Sequence, residues 1–261
     1  MSRSHHHSRP VHLHQRIYGL LFIPVILLVA AYVVAIPASV GGGDVSAVEL
    51  GAALCLSFVR LLAAFVLALL VAIPFSLLIH RSPLVERSVL PLLDTSYSVP
   101  VLAFFPVLIL VFNQYHFLEG AAVSLIVITM VWALVINSVA GLRSIPSDIH
   151  DTAKVLGIKG LKKIRHVVLP AIIPSIVSGS LLAWAAGWNM LLVAEVLHNY
   201  TPGRSSEGDL FGIGSVIVHA AAAGQNSLFI GAMITMLAAI LLMNFFIWQR
   251  LQDYAERYRF E

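Results

Sequence analysis

The sequence predicts an all-α polytopic membrane protein with six transmembrane helices, and three observations carry that fold class. The 261-residue chain is 59% hydrophobic and only 11% charged, with a mean hydropathy of +0.91, whereas a soluble domain carries roughly 25% charged residues. Its apolar residues fall in runs close to the ~20 residues that a helix needs to cross a bilayer. Its basic residues collect at one set of run ends, the asymmetry that orients membrane proteins.

The elements follow in chain order. Residues 1–16 form a polar arm rich in histidine (His5, His6, His7, His12, His14), readable as a disordered tail, a cloning remnant or a metal-binding arm. The first span, near Ile17–Ile36, begins after Arg16 and has no convincing small-residue cleavage site, so it is expected to be retained. A tight GGGD turn at 41–44 leads to the second span, near Leu50–Ile79. Its Cys55 is the only cysteine, so no disulfide forms within one chain. The third span, near Val99–Phe112, is short and broken by Pro100 and Pro106, which neighbouring helices or a cavity must compensate. The fourth lies near Ala121–Ala140 and the fifth near Ala171–Ala194, with Pro170 and Pro174 fitting its opening turn. The segment 195–227 should hold a short amphipathic helix, near Ile213–Ala222, lying at the outer surface. A sixth span near Leu228–Gln249 completes the membrane domain 17–249, and residues 250–261 form a tail.

All the Lys and Arg except Arg60 and Arg204 lie in the arm, the loop after the second span (Arg81, Arg87), the 141–169 loop and the tail. Those segments, and both termini, are expected in the cytoplasm. The opposite side receives Asp44, Glu49, Glu119, Glu195, Glu207 and Asp209. The net charge of +3 and pI near 9.2 therefore report orientation rather than nucleic-acid binding.

The 141–169 loop is built to fold. Ser147 is placed to cap a helix whose first turns hold Asp148 and Asp151, with Lys154 toward its far end. Ile149, Thr152, Ala153 and Leu156 share one face at helical spacing. Gly157 suits a left-handed helix end, and a second, lysine-rich helix follows. An ordered basic loop between two spans either grips a cytoplasmic partner or rests on anionic lipid.

Polar groups inside spans are costly and point to function or to pairing. Arg60 lies well inside the second span measured from its outer end; it either faces a translocation path and attracts an anion, or snorkels or pairs with a helix-end carbonyl. Asn137 and Asn189 either contact a polar solute or bond neighbouring helices. Glu195, at the outer end of the fifth span, suits a gate or an outer-loop role, and Tyr97 and Ser98 open the broken third span. Ala185-Ala186-Gly187 and Gly212-x-Gly214 allow close helix approach. No G-x-x-x-x-G-K-[ST] loop is present, so the chain does not cradle ATP phosphates itself. No pair of His, Asp or Glu at one-turn spacing occurs within a span, which argues against a membrane-embedded enzyme or a metal site.

Asp151-Thr152-Ala153, then Gly157, then Leu169-Pro170 resembles the E-A-A-x3-G…L-P signature of ABC importer permeases. Asp151 keeps the usual charge and Thr152 departs mildly from the first alanine. Ser57-x-x-Arg60, the stretch Ser98-Val99-Pro100…Phe105-Pro106, Asn189…Ala194-Glu195 and the tail Trp248-x-x-Leu251-x-x-Tyr254-Ala255-Glu256-Arg257-Tyr258 look like the nitrate/sulfonate/bicarbonate/taurine branch, close to the duplicated anion permeases. The resemblance implies a type I importer permease (MetI-like) fold in a prokaryotic inner membrane. Asp151, Thr152, Ala153, Gly157, Leu169 and Pro170 would then couple the chain to separate ATP-binding cassette subunits, which bind the ATP. It also implies a second permease subunit, identical or not, and an external solute-binding protein; the chain needs no cofactor of its own and would carry a small anion. An ion-coupled secondary transporter working without an ATPase is the alternative, and it predicts inverted repeats; none stands out.

Overall fold

The computed structural model describes residues 47–200 and 208–258, and regular structure there is helical throughout. The expected first span, the 41–44 turn, the histidine arm and Arg204 lie outside the described residues. Four helices are long and apolar enough to cross a membrane, which makes this a multi-pass membrane protein.

The first, α1, runs from Ala47 to His80, 34 residues, or about 51 Å at ~1.5 Å per residue. That exceeds a hydrocarbon core of about 30 Å. Its extra length matters below. One stripe of small residues, Ala64, Ala68, Ala72 and Ser76, is buried, letting α1 lie close to α4 (Leu118–Arg143). In lipid, close packing of this kind, rather than apolar burial, holds helices together. Ser76 Oγ donates to the Ala72 carbonyl at 2.7 Å, with the Val135 carbonyl of α4 also in reach at 3.5 Å.

A helix not expected from the sequence follows: α2, Pro83–Tyr97. Pro83 stands at its start, where the missing N–H costs nothing, and Leu93 reaches the core. The third span breaks at Pro100, which caps a 3₁₀ turn, Val101–Phe104, while Pro106 sits in the first turn of α3, Phe105–Gln114. One proline therefore breaks this segment and the other starts a helix. The ten residues of α3 cover only about 15 Å.

After α5 (Ser147–Val155) the chain was expected to form a separate basic helix and then a new span. Instead α6 (Gly160–Lys163), a π-helical turn (Ile164–Val168) and α7 (Leu169–Ala194) run on without a break. The Leu169 N–H donates to the Ile164 carbonyl, five residues back. Widening the turn makes room for Pro170, which has no N–H and would crowd the carbonyl four residues earlier. The fifth span thus extends back to Gly160. The last helix repeats this pattern: α9 (Asn226–Met243), a π turn (Asn244–Trp248) and α10 (Gln249–Glu256) are continuous. Its π turn leaves Trp248 buried, with ring centroids 6.1 Å from Phe65 and 6.0 Å from Trp184.

The helix expected near Ile213–Ala222 is found there as α8. It does not simply lie on the surface. Ile213 and Ile217 are buried in a cluster with Leu50 and Ala232, because the overlong start of α1 reaches up to meet them.

At the end of the bundle that carries α5, Glu86 accepts from the Arg143 guanidinium and lies 3.2 Å from His80 Nδ1. This joins the ends of α1 and α4 to α2. The Arg143 hydrogen bond holds the Glu86 carboxyl below its usual range. A depressed carboxylate adds stability above its ordinary pKa and loses it as pH falls through the lowered one. Glu86→Gln is expected to cost less than about 1 kcal/mol at neutral pH, because Arg143 is half exposed. The difference in melting temperature between the two proteins in detergent should shrink as pH falls and vanish once it lies below the lowered Glu86 pKa.

Candidate functional site

Helix α5 is preceded by Pro146 in extended conformation, so Ser147 is its first residue rather than its cap. Its other end is locked by backbone geometry. The Gly157 N–H donates to the Lys154 carbonyl at 3.0 Å and the Ile158 N–H to the Ala153 carbonyl at 2.9 Å, with Gly157 at φ +69°. That is a Schellman termination, which needs a left-handed residue where Gly157 stands. Gly160, at φ +58°, turns the chain again into α6.

This reversal decides what the loop shows to its surroundings. Ala153 is buried against the chain itself, while Thr152 is exposed. Leu156, expected on the same face as Ile149 and Ala153, is instead turned outward at the helix end. Val155, Leu156 and Leu161 are 86%, 68% and 80% exposed. Lys159 and Lys162 are exposed between and beside them. The result is an apolar tip with a basic rim on a hydrogen-bonded turn. Asp151 is exposed and accepts from Lys154 Nζ at 2.7 Å, which holds its carboxyl below the usual range. Leu169 and Pro170 lie at the start of α7, where Leu169 packs with Leu142, Ile145, Val168 and Ile172 beneath α5. The exposed apolar tip is the feature that the sequence reading missed; its signal was Val155-Leu156 immediately before a glycine.

Arg60 is committed to a buried network at the opposite end. Its Nε and Nη2 donate to the two carboxylate oxygens of Glu119 at 2.7 and 2.8 Å, and Nη1 donates to Glu195. The Glu195 side chain is fully buried and that of Arg60 nearly so. Glu195 also accepts from Ser57 Oγ at 2.5 Å and from the Gly214 N–H at 2.7 Å, and Ser57 Oγ accepts from the Ile213 N–H at 2.8 Å. A carboxylate at the first N–H groups of α8 complements the helix dipole. Four elements, α1, α4, α7 and α8, meet in this clasp.

The clasp also corrects the depth read for Arg60. Glu119 is the second residue of α4 and Glu195 follows the last residue of α7. Arg60 therefore lies level with the ends of its neighbours, because α1 begins 13 residues earlier and overshoots them. Gly212 and Gly214 make room for the Glu195 carboxylate, and Gly214 also gives the close approach of α8 to the α7 backbone expected of this pattern. A Cβ on Gly214 would fall 2.8 Å from Glu195 Oε2 and 2.9 Å from the Leu192 Cα. Gly214→Ala is expected to destabilise by about 1–3 kcal/mol, seen as a lower melting temperature in detergent.

Asn137 and Asn189 each bond their own helix, Nδ2 donating to Ala133 O at 2.8 Å and to Ala185 O at 3.1 Å. Each amide keeps a second N–H and its carbonyl oxygen beyond that bond. Asn189 is exposed on the α7 face that also carries Ser178, Leu182 and Ala185. Asn137 lies near the foot of that face, where its Cβ packs against Gly179. Ser98 is exposed at the break in the third span. Among the described residues no group of three or more His, Cys, Asp or Glu is placed to hold a metal ion.

Comparison with known proteins gives a consistent picture. A family model described as binding-protein-dependent transport system inner membrane component matches residues 64–257. A nitrate import permease protein of Leptolyngbya laminosa is 31% identical over 188 residues, covering 72% of this chain and 63% of the relative. A bicarbonate transport system permease protein of Synechococcus elongatus is 30% identical over 141 residues, 54% of this chain and 50% of the relative. A taurine transport system permease protein of Escherichia coli is 26% identical over 144 residues, 55% and 51% of the two chains. The chain spans about half to two thirds of the length of these relatives.

Proposed function

The chain belongs to the family of binding-protein-dependent transport system inner membrane components, in the nitrate, bicarbonate and taurine group of ABC importer permeases, and from that premise we propose that it is the membrane subunit of an ATP-driven importer of a small anion. In this reading it adopts the six-span type I fold. The α5 end faces the cytoplasm together with both termini, and the clasp end faces outward. A second permease subunit, two ATP-binding cassette subunits and an external binding protein complete the complex.

The observation that carries this reading is the apolar tip. Val155, Leu156 and Leu161 project from a turn held by two backbone hydrogen bonds and a left-handed glycine. Apolar side chains this exposed, ringed by lysines on a rigid turn, fit an anchor seated in a partner's pocket. Asp151, Thr152, Gly157, Leu169 and Pro170 support the tip in this scheme; Ala153 does so from inside, letting α5 seat closely on the bundle. Motion at the tip passes directly to the fifth span, since α6 and α7 are one helix. The row Ser178, Leu182, Ala185 and Asn189, with Asn137 beside it, forms this subunit's share of the solute path. Arg60 stands apart from that path and secures the outer ends of the spans. ATP is bound by the partner, so nucleotide states reach this chain only as a bias between its conformations.

Reconstitution tests the proposal. The complex purified through this chain should contain a nucleotide-hydrolysing subunit and drive uptake of nitrate, bicarbonate or taurine into vesicles only with ATP and a binding protein. Uptake by the lone chain under an ion gradient would establish the secondary transporter instead.

A further inference from the structure

At the α5 end, α4, α7 and α10 enclose a cleft of about 540 Å³. Asn137, Ser175 and Ser178 line it from the spans, and Gln252, Glu256 and Tyr258 from the last helix and its end. Among the described residues that line it, Glu256 is the only one charged at neutral pH and none is a lysine or arginine. Ser178 is also the first member of the exposed α7 row that leads through Leu182 and Ala185 to Asn189. The cleft is therefore where that row ends. Its far wall is the tail sequence around Glu256, for which the coupling loop and the clasp provide no role.

We propose that this cleft is the exit vestibule of the importer, a weak oxyanion site of hydroxyl and amide groups from which the Glu256 carboxylate hastens departure. The inference rests on the anion-import reading above. A path must hold its solute enough to accept it and too weakly to keep it. The Ser178 hydroxyl already donates to the Pro174 carbonyl at 3.0 Å, so the donors are the Ser175 hydroxyl, the second Asn137 N–H and the Gln252 amide. Such neutral groups replace part of an anion's hydration shell without the trap that a buried cation would make. A carboxylate at the cytoplasmic mouth opposes return of the anion from the cell interior and leaves a neutral solute indifferent. The α10 helix is then a wall of the path and not merely a tail.

The test uses the assembled complex in vesicles, with Cys55 replaced by alanine and Ser178→Cys as the reporter. Labelling rates are compared for two thiosulfonate reagents, one bearing a sulfonate and one a quaternary ammonium. Glu256→Lys should raise the sulfonate-to-ammonium rate ratio about fivefold or more, since it changes the local charge by two units inside one cavity. In the same vesicles, nitrate loaded on the cytoplasmic side should half-inhibit ATP-driven uptake at about fivefold lower concentration. Glu256→Gln should shift both readings the same way by less, and it serves if the lysine variant fails to insert. An unchanged ratio, or a changed ratio with unaltered inhibition by internal nitrate, would overturn the vestibule while the import reading stands. A wild-type complex that takes up none of nitrate, bicarbonate or taurine with ATP would overturn the import reading and the vestibule together.

Discussion

Replacing Arg60 with alanine is expected to destabilise the protein by about 3–5 kcal/mol, the cost of leaving a buried charge without its partner. Glu195 is completely buried and its counter-charge is the Arg60 guanidinium; without it the carboxylate keeps only neutral donors, the Ser57 hydroxyl and the Gly214 and Ser215 N–H groups at the start of α8. Loss of that anchor releases the first turn of α8 and, with it, the buried Ile213 and Ile217. Arg60→Lys should recover little of the loss. An ammonium cannot offer the planar fork that bonds both oxygens of Glu119 while a third N–H reaches Glu195. Glu119→Gln should be milder than either, because Glu119 is 48% exposed and water compensates it. Melting in detergent and protease nicking of the segment before Gly212 are the readouts. Near-native stability of Arg60→Ala would mean that the clasp holds nothing together. If Arg60 acted instead as an anion-attracting group, the same variant would keep its melting temperature and lose affinity for solute.

Gly157→Val is the second large effect. A β-branched residue at φ +69° is strained by about 1–3 kcal/mol, and the strain falls on the two hydrogen bonds that end α5. The spans are untouched, since nothing lies within 4 Å of the position where a Cβ would stand. Membrane insertion and the melting temperature should therefore stay close to wild type. What should fail is the direction in which Val155 and Leu156 point. ATP-driven uptake in vesicles is expected to fall at least about tenfold, in proportion to lost binding of the ATPase at ~1.4 kcal/mol per decade. Gly157→Asn, which tolerates the left-handed region, should retain most of the activity. Normal uptake by Gly157→Val would remove the turn from the coupling scheme.

Local chemistry made much of the fold legible in advance. The residues of α8, the end of α5 at Gly157 and the break at Pro100 follow from turn residues and apolar periodicity, and the observed elements agree. Elsewhere the local signals misled. Pro170 and Pro174 announce a helix start, yet a π turn absorbs Pro170 and the helix continues back to Gly160. Leu156 fits the apolar face of α5 by spacing, but the chain reverses one residue later and exposes it. Helix α2 carries both Pro83 and Pro91 and gives no long apolar run, so hydropathy passes over it.

The clasp was beyond any local reading. Arg60 is 59 residues from Glu119 and 135 from Glu195, and only packing brings the three together. Its depth was misjudged because α1 is longer than the membrane, which cannot be known until the ends of α4 and α7 are located beside it. Within α1 the Ala64, Ala68, Ala72 and Ser76 stripe does announce close contact with a neighbour, though not with which helix.

Photo-cross-linking from position 156 in the assembled complex is the most direct test of the coupling claim. A photoreactive amino acid replacing Leu156 should form its main adduct with a nucleotide-hydrolysing subunit, and the yield should change between ATP-bound and nucleotide-free states. An adduct confined to lipid in both states would contradict the account.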